Sequence, residues 1–138
     1  MSDTFRRLPI YLLVECSDSM VGDPIESVKS AIWAVHDELM NDPSILEIAR
    51  LSVITFSDSA SQVVPLTELS TFSAPDLIAG GGAALGGGLK LLLECIDNEA
   101  SLRAAKHYKP DWKPIIILFT CSNPTDEWQE PVDKLKTK

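Results

Sequence analysis

A chain of 138 residues, 45% hydrophobic and 23% charged, has the size and composition of one globular domain with a proper core. Its net charge of −8 disfavours nucleic acid and anionic membrane as partners, because both are recognised largely through phosphate charge. No apolar stretch approaches the ~18 residues of a membrane span, and the N-terminus lacks a secretory core; the three cysteines form no CxxC pair, so reduced thiols in a soluble, cytoplasmic protein are expected.

Leu8 to Val14 is a nearly continuous apolar run, the pattern of a strand buried on both faces. After a Gly22-Asp23-Pro24 turn, Ile25, Val28, Ile32, Val35 and Leu39 recur at helical spacing, which predicts an amphipathic helix over 24–40 with Trp33 packed on its face. Asn41-Asp42-Pro43 ends it. Leu51 to Phe56 is a second strand, and a Ser57-Asp58-Ser59 turn leads to a third around Gln62 to Leu66. Pro65 puts that third strand at a sheet edge, since proline cannot donate to a ladder. Residues 67–79 read as an irregular loop.

Six of the seven glycines lie between Gly80 and Gly88, in GGGAALGGG. The first cluster is a loop, and Leu85, Leu89, Leu92, Leu93 and Ile96 mark a helix running to about Ala105. Glycine inside a helix's first turns is costly, so Gly86 to Gly88 imply close backbone packing there. Ile115 to Thr120 reads as a buried strand, and the chain closes with an acidic segment and a short helix. This order predicts a three-layer α/β sandwich with a mainly parallel sheet.

In such sheets a ligand crevice lies beyond the carboxyl ends of the strands. The first strand ends at Glu15, where Glu15, Ser17 and Ser19 alternate as they would around a bound cation. If the first and last strands are neighbours, Ser17, Ser19 and Cys121 meet there, with the loop containing Ala83 above them. Cys121 in that position would need a base to act as a nucleophile. Only His36 and His107 exist, the first on the core side of a helix and the second at the far end of the sheet, so no catalytic residue is expected. The glycine loop matches neither phosphate-binding fingerprint and reads as a tight turn. Trp112 and Trp128, in polar segments, either cap the core or face a partner.

Four stretches, LPIYLLVECSDSM, LSVITFSDSASQVVPLTEL, GGGAALGGGLKLLLECID and PIIILFTCSNPTDEW, together resemble von Willebrand factor A domains. They are most similar to the short bacterial stand-alone type associated with tellurite resistance. The resemblance implies a Rossmann-like fold, here as one domain over 1–138 that lacks the last strands or has them supplied by another chain. It also implies a metal-ion-dependent adhesion site with the pattern Asp-x-Ser-x-Ser, a loop Thr and a later Asp. These positions fall on Glu15, Ser17, Ser19, Ala83 and Cys121, of which only the two serines match. Magnesium and manganese want hard oxygen ligands; Ala83 offers none, and Cys121 a soft sulfur. The five residues are therefore expected to form a binding rim without a cofactor, with Mg or Mn held by Glu15, Ser17 and Ser19 as the alternative. The implied function is a non-enzymatic protein-interaction scaffold in a stress-response or phosphorylation-linked system. A Ser/Thr kinase and a PP2C-type phosphatase are its implied partners; separately, the IIILF run wants neighbours on both edges, so self-association, strand exchange or a separate partner is expected to complete the sheet.

Overall fold

The computed structural model describes residues 5–120, 126, 127 and 129–136. Cys121 and Trp128 lie outside the described residues. Four strands form one sheet in the order β3-β2-β1-β4, with β1 at Leu8–Glu15, β2 at Ala49–Phe56, β3 at Ala60–Glu68 and β4 at Ile115–Phe119. β1 runs parallel to β2, from Leu8 opposite Ala49 to Glu15 opposite Phe56, and parallel to β4, from Ile10 opposite Ile115 to Val14 opposite Phe119. β3 returns antiparallel to β2 through the expected hairpin and occupies an edge, as Pro65 requires. Within that pair the buried Ser52 hydroxyl donates to the Val64 carbonyl and accepts from Gln62, so a polar group sits in the central layer at no unpaired cost.

Four helices are described: α1 (Asp23–Met40), α2 (Pro43–Leu46), α3 (Leu85–Ala105) and α4 (Gln129–Leu135). The alternation of β1 sends its side chains to two cores. Ile10, Leu12 and Val14 meet Ile25, Val28 and Ile32 of α1, with Ile45 and Leu46 of α2 at the margin. Tyr11 and Leu13 meet Leu85, Leu89 and Leu92 of α3, with Val132 and Leu135 of α4 alongside. Being covered on both faces is why β1 reads as an unbroken apolar run.

Three expectations need correction. Trp33 is 65% exposed, because the buried stripe of α1 runs through Ile25, Val28 and Ile32 and turns Trp33 to solvent. β4 is not fully buried: as the outer strand among those described, it leaves Ile115 and Leu118 45% and 42% exposed. The loop after β3 carries a short 3-10 turn at Leu69–Thr71, and Leu69 and Phe72 from this stretch are buried in the core on the α1 side.

The implied packing at the glycines is present. A Cβ on Gly86 would lie 1.8 Å from the Glu127 carbonyl oxygen, and one on Gly88 would lie 3.1 Å from the Phe56 ring. The first turn of α3 is thus pressed between the end of β2 and the segment that leads into α4.

Candidate functional site

The carboxyl ends of the parallel strands converge on Glu15, which is fully buried. Its carboxylate accepts the hydroxyl hydrogens of Ser17, two residues on, and of Thr120, just past the end of β4. Charge-assisted bonds of this kind keep a buried carboxylate from standing unpaired.

Above this carboxylate the backbone is stitched into a tight roof. Cys16 N–H donates to the Phe56 carbonyl at 2.8 Å and Gly80 N–H to the Cys16 carbonyl at 2.8 Å. Asp18 N–H donates to the Gly81 carbonyl at 2.9 Å, and the Gly81 N–H returns a bond of 3.0 Å to the Asp18 carboxylate. The Gly82 N–H is taken by Asp58 at 3.0 Å. Gly81 has φ +86°, and a Cβ there would sit 2.7 Å from an Asp58 oxygen, so conformation and space both demand glycine. At the start of α3, Asp126 receives the N–H groups of Gly86 and Gly87 at 2.6 and 2.8 Å. The Gly81, Gly82, Gly86 and Gly87 amides that could have cradled a phosphate are occupied by the chain's own carboxylates, in keeping with the missing phosphate fingerprints.

Of the five residues placed on the rim from sequence, Glu15, Ser17 and Ala83 are buried, and only Ser19 is exposed. Glu15, Ser17 and Ala83 form the floor, not the rim, because Glu15 and Ser17 turn toward each other and Ala83 is buried in the glycine loop. Cys121 lies outside the described residues. The exposed lip keeps Ser19 and adds Asp18 and Asp58. Sequence reasoning did not place Asp18, Asp58, Thr120 or Asp126 among the site residues. The available signal was the position of Asp58 in the β2–β3 turn and of Thr120 beside Glu15 at the strand ends.

A magnesium shell asks for about six hard oxygen donors. The described floor offers one carboxylate already accepting two hydroxyls, and Ala83 contributes a methyl group. Among the described residues no three His, Cys, Asp or Glu side chains are grouped to share a metal ion. Among the described residues the donors at the floor fall short of the shell that the adhesion-site pattern implies.

Among the described residues the floor holds no activated nucleophile. Burial and the nearby Glu15 push the Cys16 thiol above its ordinary range, which favours the unreactive protonated form. His36 sits on the α1 side, with Nε2 2.7 Å from the Leu69 carbonyl and its ring against Phe72. His107 follows the carboxyl end of α3, at the opposite end of the sheet, in a left-handed conformation (φ 59°).

The family model of the von Willebrand factor type A domain matches residues 10–138. A curated relative, the uncharacterized protein sll0103 of Synechocystis, is 38% identical over 96 residues, covering 64% of this chain and 21% of its own. Among solved structures, proximal thread matrix protein 1 from the mussel byssus superposes with a TM-score of 0.64 at 22% identity, over 96% of this chain and 36% of its own. One structure of that protein has a zinc-occupied adhesion-site motif. The ArnB paralog VWA2 from Sulfolobus acidocaldarius gives a TM-score of 0.60 at 15% identity, over 91% of this chain and 30% of its own. The chain therefore spans about a fifth of the curated relative and about a third of these solved chains. No described helix is long and apolar enough to cross a membrane. With the family model covering all but the first nine residues, and the sheet order and crevice in agreement, the chain belongs to the von Willebrand factor type A domain family.

Proposed function

We propose that this domain is a non-enzymatic protein-recognition module whose crevice works without a cation. The observation that carries this reading is the Glu15 carboxylate, buried and engaged by the Ser17 and Thr120 hydroxyls, with Ala83 buried in the glycine loop where the family pattern has a hydroxyl. Recognition then falls to the lip, where Asp18, Ser19 and Asp58 present a polar, acidic surface held rigid by the glycine loop. Such a surface suits a partner with basic or hydrogen-bond-donating groups.

The finer assignment rests on the likeness to tellurite-resistance-associated domains. It is a cytoplasmic scaffold in a stress-response or phosphorylation-linked system, with a Ser/Thr kinase and a PP2C-type phosphatase as partners. Self-association through β4 belongs to the same proposal, supported by the exposed Ile115 and Leu118 on an outer strand.

Calorimetric titration with Mg²⁺ and Mn²⁺ tests the cation-free reading. Wild type and Ser17→Ala are expected to give the same featureless traces at millimolar metal. Saturable heat that disappears in Ser17→Ala would replace this proposal with metal-dependent adhesion.

A further inference from the structure

At the end of the sheet opposite the crevice lies a cavity of about 620 Å³. Its floor is Tyr11 of β1, one wall is α3 through Ile96, Ala100 and Arg103, and the other wall is the 108–114 connection. This volume is within the range of about 300–1,000 Å³ that small-molecule sites occupy, and the lining is mainly apolar, as in such sites.

The far wall is built in advance of any occupant. Arg7 grips Asp111 through two bonds of 2.9 and 2.8 Å and reaches Glu99 at 3.2 Å. Arg103, only 4% exposed, bonds Asp111 at 3.0 Å and donates to the carbonyls of Lys109 and Phe5. Arg6 stacks 3.6 Å over the Trp112 ring. Three arginines therefore fix the connection, and the Glu99 and Asp111 carboxylates at the cavity are already paired. An occupant that drew its charge partner from Arg7, Arg103, Glu99 or Asp111 would have to break these pairs, whereas an uncharged one leaves them intact.

One polar group in the cavity has nothing to do. Tyr11 is 1% exposed, and its hydroxyl has no hydrogen-bond partner among the described residues. Tyr11 lines the cavity, and among the described residues no side-chain oxygen or nitrogen is wholly shut off without a partner, so its hydroxyl keeps a small opening there. Buried tyrosine hydroxyls ordinarily find a partner.

We propose that this cavity binds a small, uncharged, mainly apolar molecule that accepts a hydrogen bond from the Tyr11 hydroxyl. The site is separate from the crevice and stands or falls independently of it. A matched pair of probes isolates the hydrogen bond: acetophenone carries a carbonyl acceptor, and α-methylstyrene has the same shape with a methylene in its place. Amide chemical-shift titrations are expected to show both probes perturbing Tyr11, Ile96 and Ala100, with acetophenone about five-fold tighter, the worth of one neutral hydrogen bond. Tyr11→Phe, which keeps the ring, should abolish that preference, and Ala100→Trp should fill the space and abolish binding of both. Absence of saturable shifts, shifts centred elsewhere, equal affinities on wild type, or a preference that survives Tyr11→Phe would each overturn the proposal.

Discussion

Gly86 and Gly87 are adjacent, lie in the same helical turn and bond the same Asp126 carboxylate, yet their surroundings differ sharply. A methyl on Gly86 would collide with the Glu127 backbone, whereas one on Gly87 would meet only an Asp126 oxygen at 3.9 Å. Gly86→Ala must push the α4 lead-in off the helix, and such overpacking costs about 1–3 kcal/mol. Gly87→Ala adds helix propensity in open space and should stabilise by up to about 1 kcal/mol. Urea unfolding of the two variants with unchanged slopes is expected to shift the midpoint in opposite directions. The glycine pattern was legible in sequence as close packing, because glycine in a helix start is costly and has to be compensated. Which glycine bears the contact was not legible, since the contacting backbone lies forty residues downstream. Thr120 is farther still from Glu15 in the chain, and the parallel register of β4 on β1 brings them together.

At the scale of the element, β1 shows how a central strand ties both cores to acidity. The strand was the easiest to read, since burial on both faces, at seven of its eight residues, leaves a nearly continuous apolar signature. Its polar exceptions were harder, because burial by tertiary neighbours is invisible to a local pattern. Tyr11 is one such exception. Burial, followed by the charge of Glu99, raises its phenol well above the ordinary range. The folded state therefore keeps the proton more tightly than the unfolded chain does. That contribution is fully present below the unfolded value of about 10 and is lost as pH rises above it, by about 1.4 kcal/mol per pH unit. The urea midpoint of wild type should fall between pH 10 and pH 11, with Cys16 and Cys95, also raised by burial, acting in the same direction from lower pH. Tyr11→Phe removes one of these groups and should show a measurably shallower decline over that interval; an identical decline would mean that Tyr11 is not protected in the fold.

For the whole molecule, the two outer strands are guarded unequally. β3 carries Pro65, largely alternates half-buried and exposed positions, and places Gln62 and Thr67 along its length, all features that discourage further pairing. β4 is Ile-Ile-Ile-Leu-Phe, with no charge, proline or bulge. Sequence alone marked it as a strand needing neighbours on both sides, but its fully buried reading failed because burial depends on a neighbour that the described sheet does not provide. The strand is also self-complementary. Paired antiparallel with a second copy about a two-fold axis at Ile117, Ile117 faces its counterpart, Ile116 faces Leu118, and Ile115 faces Phe119, so every row is apolar. The resulting eight-stranded sheet would cover Ile115 and Leu118 and pair the free backbone groups of both strands at once. Two chains of charge −8 repel one another, so association should strengthen as salt screens that repulsion. Sedimentation equilibrium at micromolar concentration is expected to show a monomer–dimer equilibrium that shifts toward dimer from 0.05 to 0.5 M salt. Leu118→Lys puts a like-charged pair of residues near the two-fold axis and should leave a folded monomer, verified by an unchanged far-UV spectrum. Dimers that persist undiminished in Leu118→Lys would place the contact elsewhere on the surface, and a wild-type monomer at every concentration and salt would remove self-pairing from the proposal.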